Sequence, residues 1–250
     1  MEQTMTQIRT YFRLETSCFR LKQEQAAAEQ KLRQAKYALR EAQQERVLYG
    51  GSFRAFRDKL TGKREEVELS LHRAVKQAET AVTVAEQEKA GLAAEIAALR
   101  DQLELLPSPE KLKTLAEREA LTEFIRLDSL LTMEMLEPLL EKNLEALEEL
   151  RKIRRGERSH ELKSRMEWEQ LDAMPEQQTR ELTPLLEKLV ENLPHLGMEL
   201  TLGDYFREPT VFLNPAAKHN QVDSVSRAIG QVERVRKEII SIGSDLEDKT

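Results

Sequence analysis

The chain has 250 residues, of which 34% are charged, 40% hydrophobic and only 5% aromatic, and its net charge is -6. This is the balance of long solvated helices rather than of a thick globular core, so a compact enzyme fold is disfavoured, and the sign of the charge argues against a surface built throughout for nucleic acid. Cys18 is the single cysteine, which rules out an intramolecular disulfide or a multi-cysteine metal site and fits a reducing compartment. Residues 1 to 30 begin polar and charged and contain no uninterrupted apolar run. Neither a signal peptide nor a spanning helix is expected, and the expected address is the cytoplasm.

All eight prolines lie at or after Pro107, and the four glycines before it include Gly50, Gly51 and Gly62. Proline removes a donor and clashes inside a helix, so residues 1–106 read as two uninterrupted helices joined by one turn, with a tip at 50–63. The first helix repeats in alternating steps of three and four at Tyr11, Leu14, Cys18, Leu21, Gln25, Ala28, Leu32, Ala35, Leu39, Ala42, Arg46 and Tyr49. The second does so at Leu71, Val75, Ala78, Val82, Ala85, Lys89, Leu92, Ile96, Leu99, Leu103 and Leu106. A period of 3.5 keeps one stripe turned toward a partner along the whole length, which predicts a long antiparallel coiled-coil hairpin. Facing residue numbers then add to a constant of about 110 or about 117, and under either value Gln25 and Lys89 make one polar notch in adjacent layers.

At the tip, Ser52 reads as an N-cap and Gly62 as a C-terminal stop, enclosing a short helix with Phe53, Phe56 and Leu60 on one face. Arg54, Arg57, Lys59, Lys63 and Arg64 face a single acid there, Asp58. Two readings follow. The apolar face closes the end of the coil while the cations are solvated, or Phe53, Arg54, Phe56, Arg57, Lys59 and Lys63 form a docking tip for an acidic partner surface.

Residues 107–250 read as a second, smaller helical bundle. Pro107 marks the break, and Ser108, Pro109 and Glu110 read as N-cap, N1 and N2 of a new helix. The following stretch is the richest in leucine, with a kink or restart expected at Pro138. Residues 136–147 match residues 182–193 at eight of twelve positions, and Pro138 and Pro184 would each start a helix, a shared local solution more than a repeat array. The run 148–165 is basic but interleaved with glutamates, so nucleic-acid binding through Arg151, Arg154, Arg155 and Arg158 is disfavoured. Either a short β-hairpin or a crossing loop is expected near 198–213. The last helix, over 215–243, carries a β-branched seam at Val222, Val225, Ile229, Val232, Val235, Ile239 and Ile242. It packs on the hairpin root beside Ile8, Phe12 and Phe19, or else pairs with a second copy as a homo-oligomer.

No pattern assembles a catalytic or cofactor site. The segment 59–64 (KLTGKR) has Arg57 where the first glycine of a phosphate loop belongs and Arg64 where its hydroxyl belongs. His72, His160, His195 and His219 lie far apart, without a partner at ligand spacing. Cys18 occupies a seam position and reads as a small buried hydrophobe. The expected function is therefore a non-enzymatic coiled-coil interaction or scaffold protein with an unspecified protein partner. Two alternatives are a peripheral membrane protein using the basic amphipathic stretch 8–22, with Arg9, Arg13, Arg20 and Lys22 against Glu15, and a weak nucleic-acid binder.

Overall fold

The computed structural model describes residues 2–154, 180–198 and 218–247. Its elements are α1 (Glu2–Gly50), α2 (Phe53–Leu60), α3 (Arg64–Glu104), α4 (Pro109–Leu115), α5 (Arg118–Arg154), a helix α6 over residues 180–192, a 3-10 turn (Leu193–Leu196) and α7 (Lys218–Glu247). The protein is all-α, and no strand occurs among the described residues. The expected β-hairpin or loop near 198–213 lies outside them except for Met198, and so do Arg155 and Arg158 of the basic run. The chain divides into two compact units, one of residues 13–106 and one of residues 1–12 with 107–250.

In the 13–106 unit, α1 and α3 run side by side in opposite directions. Three ion pairs descend along α3 as they ascend along α1: Glu29 with Lys89 at 3.4 Å, Lys31 with Glu88 at 3.0 Å and Lys36 with Glu86 at 2.9 Å. From Leu71 to Leu106, along α3 and just past its end, the eleven predicted seam positions are buried or partly buried and the positions between them are exposed. On α1, Leu14, Cys18, Ala28, Leu32 and Tyr49 are buried. Arg46 departs from the seam and is exposed, as the cost of burying a lone guanidinium requires. Lys31–Glu88 and Lys36–Glu86 flank the stripe, and their numbers add to 119 and 122, nearer the expected constant of about 117 than that of about 110. In that register Lys89 lies opposite Ala28 and reaches out to Glu29, so the polar notch is relieved at the surface.

Cysteines at Ser17 and Gln102, which flank adjacent layers in this register, should cross-link within one chain in a Cys18→Ala background. Intrachain product independent of protein concentration is the expected result on non-reducing gels with a short bis-maleimide. Exclusively interchain product at high dilution is the opposite result.

In the other unit the core is a three-helix stripe. Met133, Leu136, Leu140 and Leu147 of α5, Leu182, Leu186 and Leu189 of α6, and Val225, Val232, Val235 and Ile239 of α7 are buried together. Each recurs at steps of three and four, so each helix turns one face inward, and burying each such side chain contributes about 1.5–3 kcal/mol. Polar clamps join the same helices. Asp128 accepts from Lys188 Nζ at 2.7 Å and from Asn192 Nδ2 at 3.0 Å, and Glu137 accepts from Arg236 at 2.5 Å.

A second cluster unites the chain start with α4 and α5. Ile8 and Phe12 are buried against Leu112, Ala120, Phe124 and Ile125, with the Phe12 and Phe124 rings 5.1 Å apart and edge to face. Ser108 caps α4 by accepting from the Lys111 amide, with Pro109 in the first turn. Beneath this cluster Glu123 is buried and bonded by Arg126 at 2.7 Å and Arg9 at 3.1 Å. Burial alone raises the Glu123 pKa, but the Arg126 and Arg9 guanidiniums outweigh it and hold the carboxyl below its ordinary 4.5. A depressed folded-state value stabilises the fold above the ordinary pKa, and that contribution disappears as pH falls through the folded value. Thermal unfolding followed from pH 7 down to pH 3 should therefore show a loss of stability below about pH 4.5 that is smaller in Glu123→Gln. Identical slopes for the two proteins would show that Glu123 titrates without this linkage.

Three expectations are corrected here. Residues 1–12 group with 107–250 rather than with the hairpin, because Ile8 and Phe12 find their apolar partners on α4 and α5. The last helix packs on α5, not beside Ile8 and Phe12, because its β-branched face meets a leucine stripe of the same period. Neither proline starts a helix: Pro138 lies inside α5 and residue 180 is already helical four residues before Pro184. At Pro138 one intrahelical hydrogen bond is missing, yet Met133, Leu136 and Leu140 are fully buried on both sides of it and carry the helix through.

Candidate functional site at the hairpin tip

The tip is built by local chemistry acting at both ends of α2. The Ser52 hydroxyl accepts from the Ala55 amide at 3.2 Å and donates to the Tyr49 carbonyl at 2.8 Å, which caps α2 and ties it to the end of α1. At the other end Gly62 adopts φ 73°, a conformation that favours glycine, and the Lys63 amide donates to the Asp58 carbonyl at 2.9 Å. An eight-residue helix is unstable alone in water, so its persistence depends on these caps and on what it buries.

What it buries is its small and polar side. Ala55 and Asp58 are 3% and 7% exposed, and Ala55 packs with Tyr49 and Leu71 in a small cluster. The Tyr49 hydroxyl donates to Asp58 Oδ2 at 3.1 Å in a buried hydrogen bond, while the Arg57 and Arg54 guanidiniums stand off at 3.7 and 3.9 Å. Burial first, and then the Asp58 carboxylate, push the Tyr49 pKa above 10. A raised value stabilises the folded tip below the ordinary phenol pKa, and this is lost as pH rises through the folded value. Tyr49→Phe leaves the buried carboxylate without its hydroxyl donor, at a local cost of about 1–3 kcal/mol. Faster hydrogen exchange across residues 53–60, with α3 amides beyond Leu71 unchanged, is the expected result; unchanged exchange in α2 would mean the bond does not hold the tip.

The opposite face is apolar and turned outward. Phe53, Phe56 and Leu60 are 81%, 58% and 75% exposed, and the two rings lie 6.3 Å apart at a tilt of 35°. At 3.6 residues per turn these three fall within about 60° of arc, with Arg57 and Arg54 on one side and Lys59 on the other. Lys59 and Lys63 are exposed and form no ion pair among the described residues. Arg64, by contrast, bonds Glu68 at 2.7 Å, and that bond raises its pKa. The apolar face does not close the end of the pair: Tyr49, Ala55 and Leu71 are buried together there, while Phe53, Phe56 and Leu60 are exposed.

Five of the six predicted tip residues therefore lie on the exposed part of α2, and the sixth, Lys63, is exposed at the start of α3. The sequence did not single out Val47 and Leu48, also exposed, at the end of α1. Nor did it single out Tyr49 and Asp58 as the pair that orients α2. The available signal was Asp58 itself, the lone acid, on the helix side opposite Phe53 and Leu60.

Elsewhere in this unit a groove of about 510 Å³, open to solvent, is lined by Ser17, Arg20, Leu21, Glu24, Glu95 and Leu99. Cys18 is buried, and no group of histidine, cysteine and carboxylate side chains able to hold a metal occurs among the described residues. No described helix is long and apolar enough to cross a membrane. No protein-family model matches the chain, and no curated protein or solved structure matches it.

Proposed function

We propose that this is a non-enzymatic cytoplasmic interaction protein in which a coiled-coil hairpin serves as a rigid arm and α2 as its docking tip. One observation carries the reading: a short helix held by a cap, a glycine stop and a buried hydrogen bond turns its aromatic face to water and its polar face inward. Three large apolar side chains exposed together make a patch on the order of 400 Å², the size at which surface patches on soluble proteins are commonly contact sites. The alternative membrane reading of residues 8–22 draws less support, since Ile8, Phe12, Leu14 and Cys18 are buried within their own units.

The test is affinity capture from the cells that make the protein, using the intact chain and one in which residues 53–60 are replaced by a glycine-serine stretch. Proteins retained by the first and absent from the second support the tip as the contact. Identical recovery removes it. Turnover of a metabolite class by the purified chain, abolished by a point substitution, would overturn the non-enzymatic part.

A further inference from the structure

We infer, on the reading that the tip is a contact surface, that its partner is a different protein bearing an apolar groove about two helical turns long with carboxylates along both rims. The anchors Phe53, Phe56 and Leu60 stand at i, i+3 and i+7, the spacing by which a helix seats one face in a groove. Cations border this stripe on both sides, Arg54 and Arg57 on one and Lys59 on the other, so both rims of the complement are acidic. The one acid of the segment, Asp58, is buried and bonded by Tyr49, and does not oppose that field at the surface.

Preorganisation separates a protein groove from a lipid surface as the occupant. Binding to a bilayer scales with the apolar area buried and the charge accumulated, and a fluid interface asks for no fixed helix geometry. Three side chains supply little area. A groove on a folded protein does reward a helix fixed beforehand, because the ordering entropy is lost before docking rather than during it. Ser52, Gly62 and the Tyr49–Asp58 bond are three separate devices that fix α2 in this way.

The probe is a photocross-linking residue, p-benzoylphenylalanine, placed at Phe53 in the full chain and irradiated in the cells that make the protein. The expected product joins the chain to one other protein, at a mapped segment that is apolar and flanked by aspartate or glutamate. Its yield should fall at least tenfold in Arg54→Glu/Arg57→Glu and survive in Arg54→Lys/Arg57→Lys. Because Arg54 and Arg57 lie near Asp58, Lys59→Glu/Lys63→Glu supplies a second charge reversal that leaves the buried bond untouched, with the same fall expected. Cross-linking to lipid, to a second copy of this chain or to a site without carboxylates, or a yield indifferent to both reversals, overturns the partner chemistry while leaving the tip as a contact. No cross-linking at all overturns both.

Discussion

Serine at Phe53, Phe56 and Leu60 together is expected to weaken partner binding by about a hundredfold or more while leaving the thermal unfolding midpoint within a degree or two of the parent. The binding side follows from the energetics of contacts: aromatic anchors in protein interfaces each contribute on the order of 2 kcal/mol, and about 2.8 kcal/mol is already a hundredfold in affinity. The stability side follows from exposure. All three side chains are mostly in water in the free protein, so their removal forfeits little burial, and exposed substitutions usually change stability by less than about 0.5 kcal/mol. The two readouts together separate a docking surface from a structural plug. Had these residues closed the end of the hairpin, deleting them would lower the midpoint by many degrees. Calorimetric titration with the cross-linked partner and a thermal melt of each variant decide it; a large drop in midpoint sinks the exposed-tip description, and unchanged affinity sinks the docking role.

Leu136→Ala is expected to destabilise the α5–α6–α7 core by about 2–5 kcal/mol, the range for removing a fully buried leucine where neighbours cannot collapse into the space. Leu136 has no exposed surface and belongs to the buried cluster that also holds Met133, Leu140, Leu189 and Val232. Because the chain divides into two compact units, the loss should concentrate in one of them. Hydrogen exchange should quicken through the buried segments of α5, α6 and α7, while amides between Leu14 and Leu103 retain their protection. Leu69→Ala, at a half-exposed position on α3, is the control and should leave both units within about 0.5 kcal/mol. A uniform rise in exchange along the whole chain would instead show that the units unfold as one.

Much of the hairpin was legible because its signal is one-dimensional. Leu71, Val75, Ala85 and Ile96 are buried for a reason written in their spacing: a period of 3.5 leaves a straight stripe that only a second stripe can cover. The same holds for the Ser52 and Ser108 caps and for Gly62, each set by chemistry within a few residues. The choice between the two permitted registers was not in the pattern. Both satisfy the apolar layers equally, and only the flanking pairs Lys31–Glu88 and Lys36–Glu86 distinguish them.

What the sequence alone determined about this protein is thus its helical class, the antiparallel hairpin and the limits of its tip helix, all of which rest on local propensity and periodic burial. Tertiary structure decided which stripe meets which. Ile8 and Phe12 could have been covered by the last helix as well as by α4 and α5, since apolar faces carry no address and the outcome depends on how competing packings fit in three dimensions. It also decided the direction of α2. One of the two readings of the tip has Phe53, Phe56 and Leu60 as the face to bury, but the buried side is Ala55 and the Asp58 carboxylate bonded to Tyr49, and the aromatic face turns to solvent. Hydrophobicity states a preference for burial, whereas the volume and hydrogen-bonding partners at a given place determine which side chain fills it.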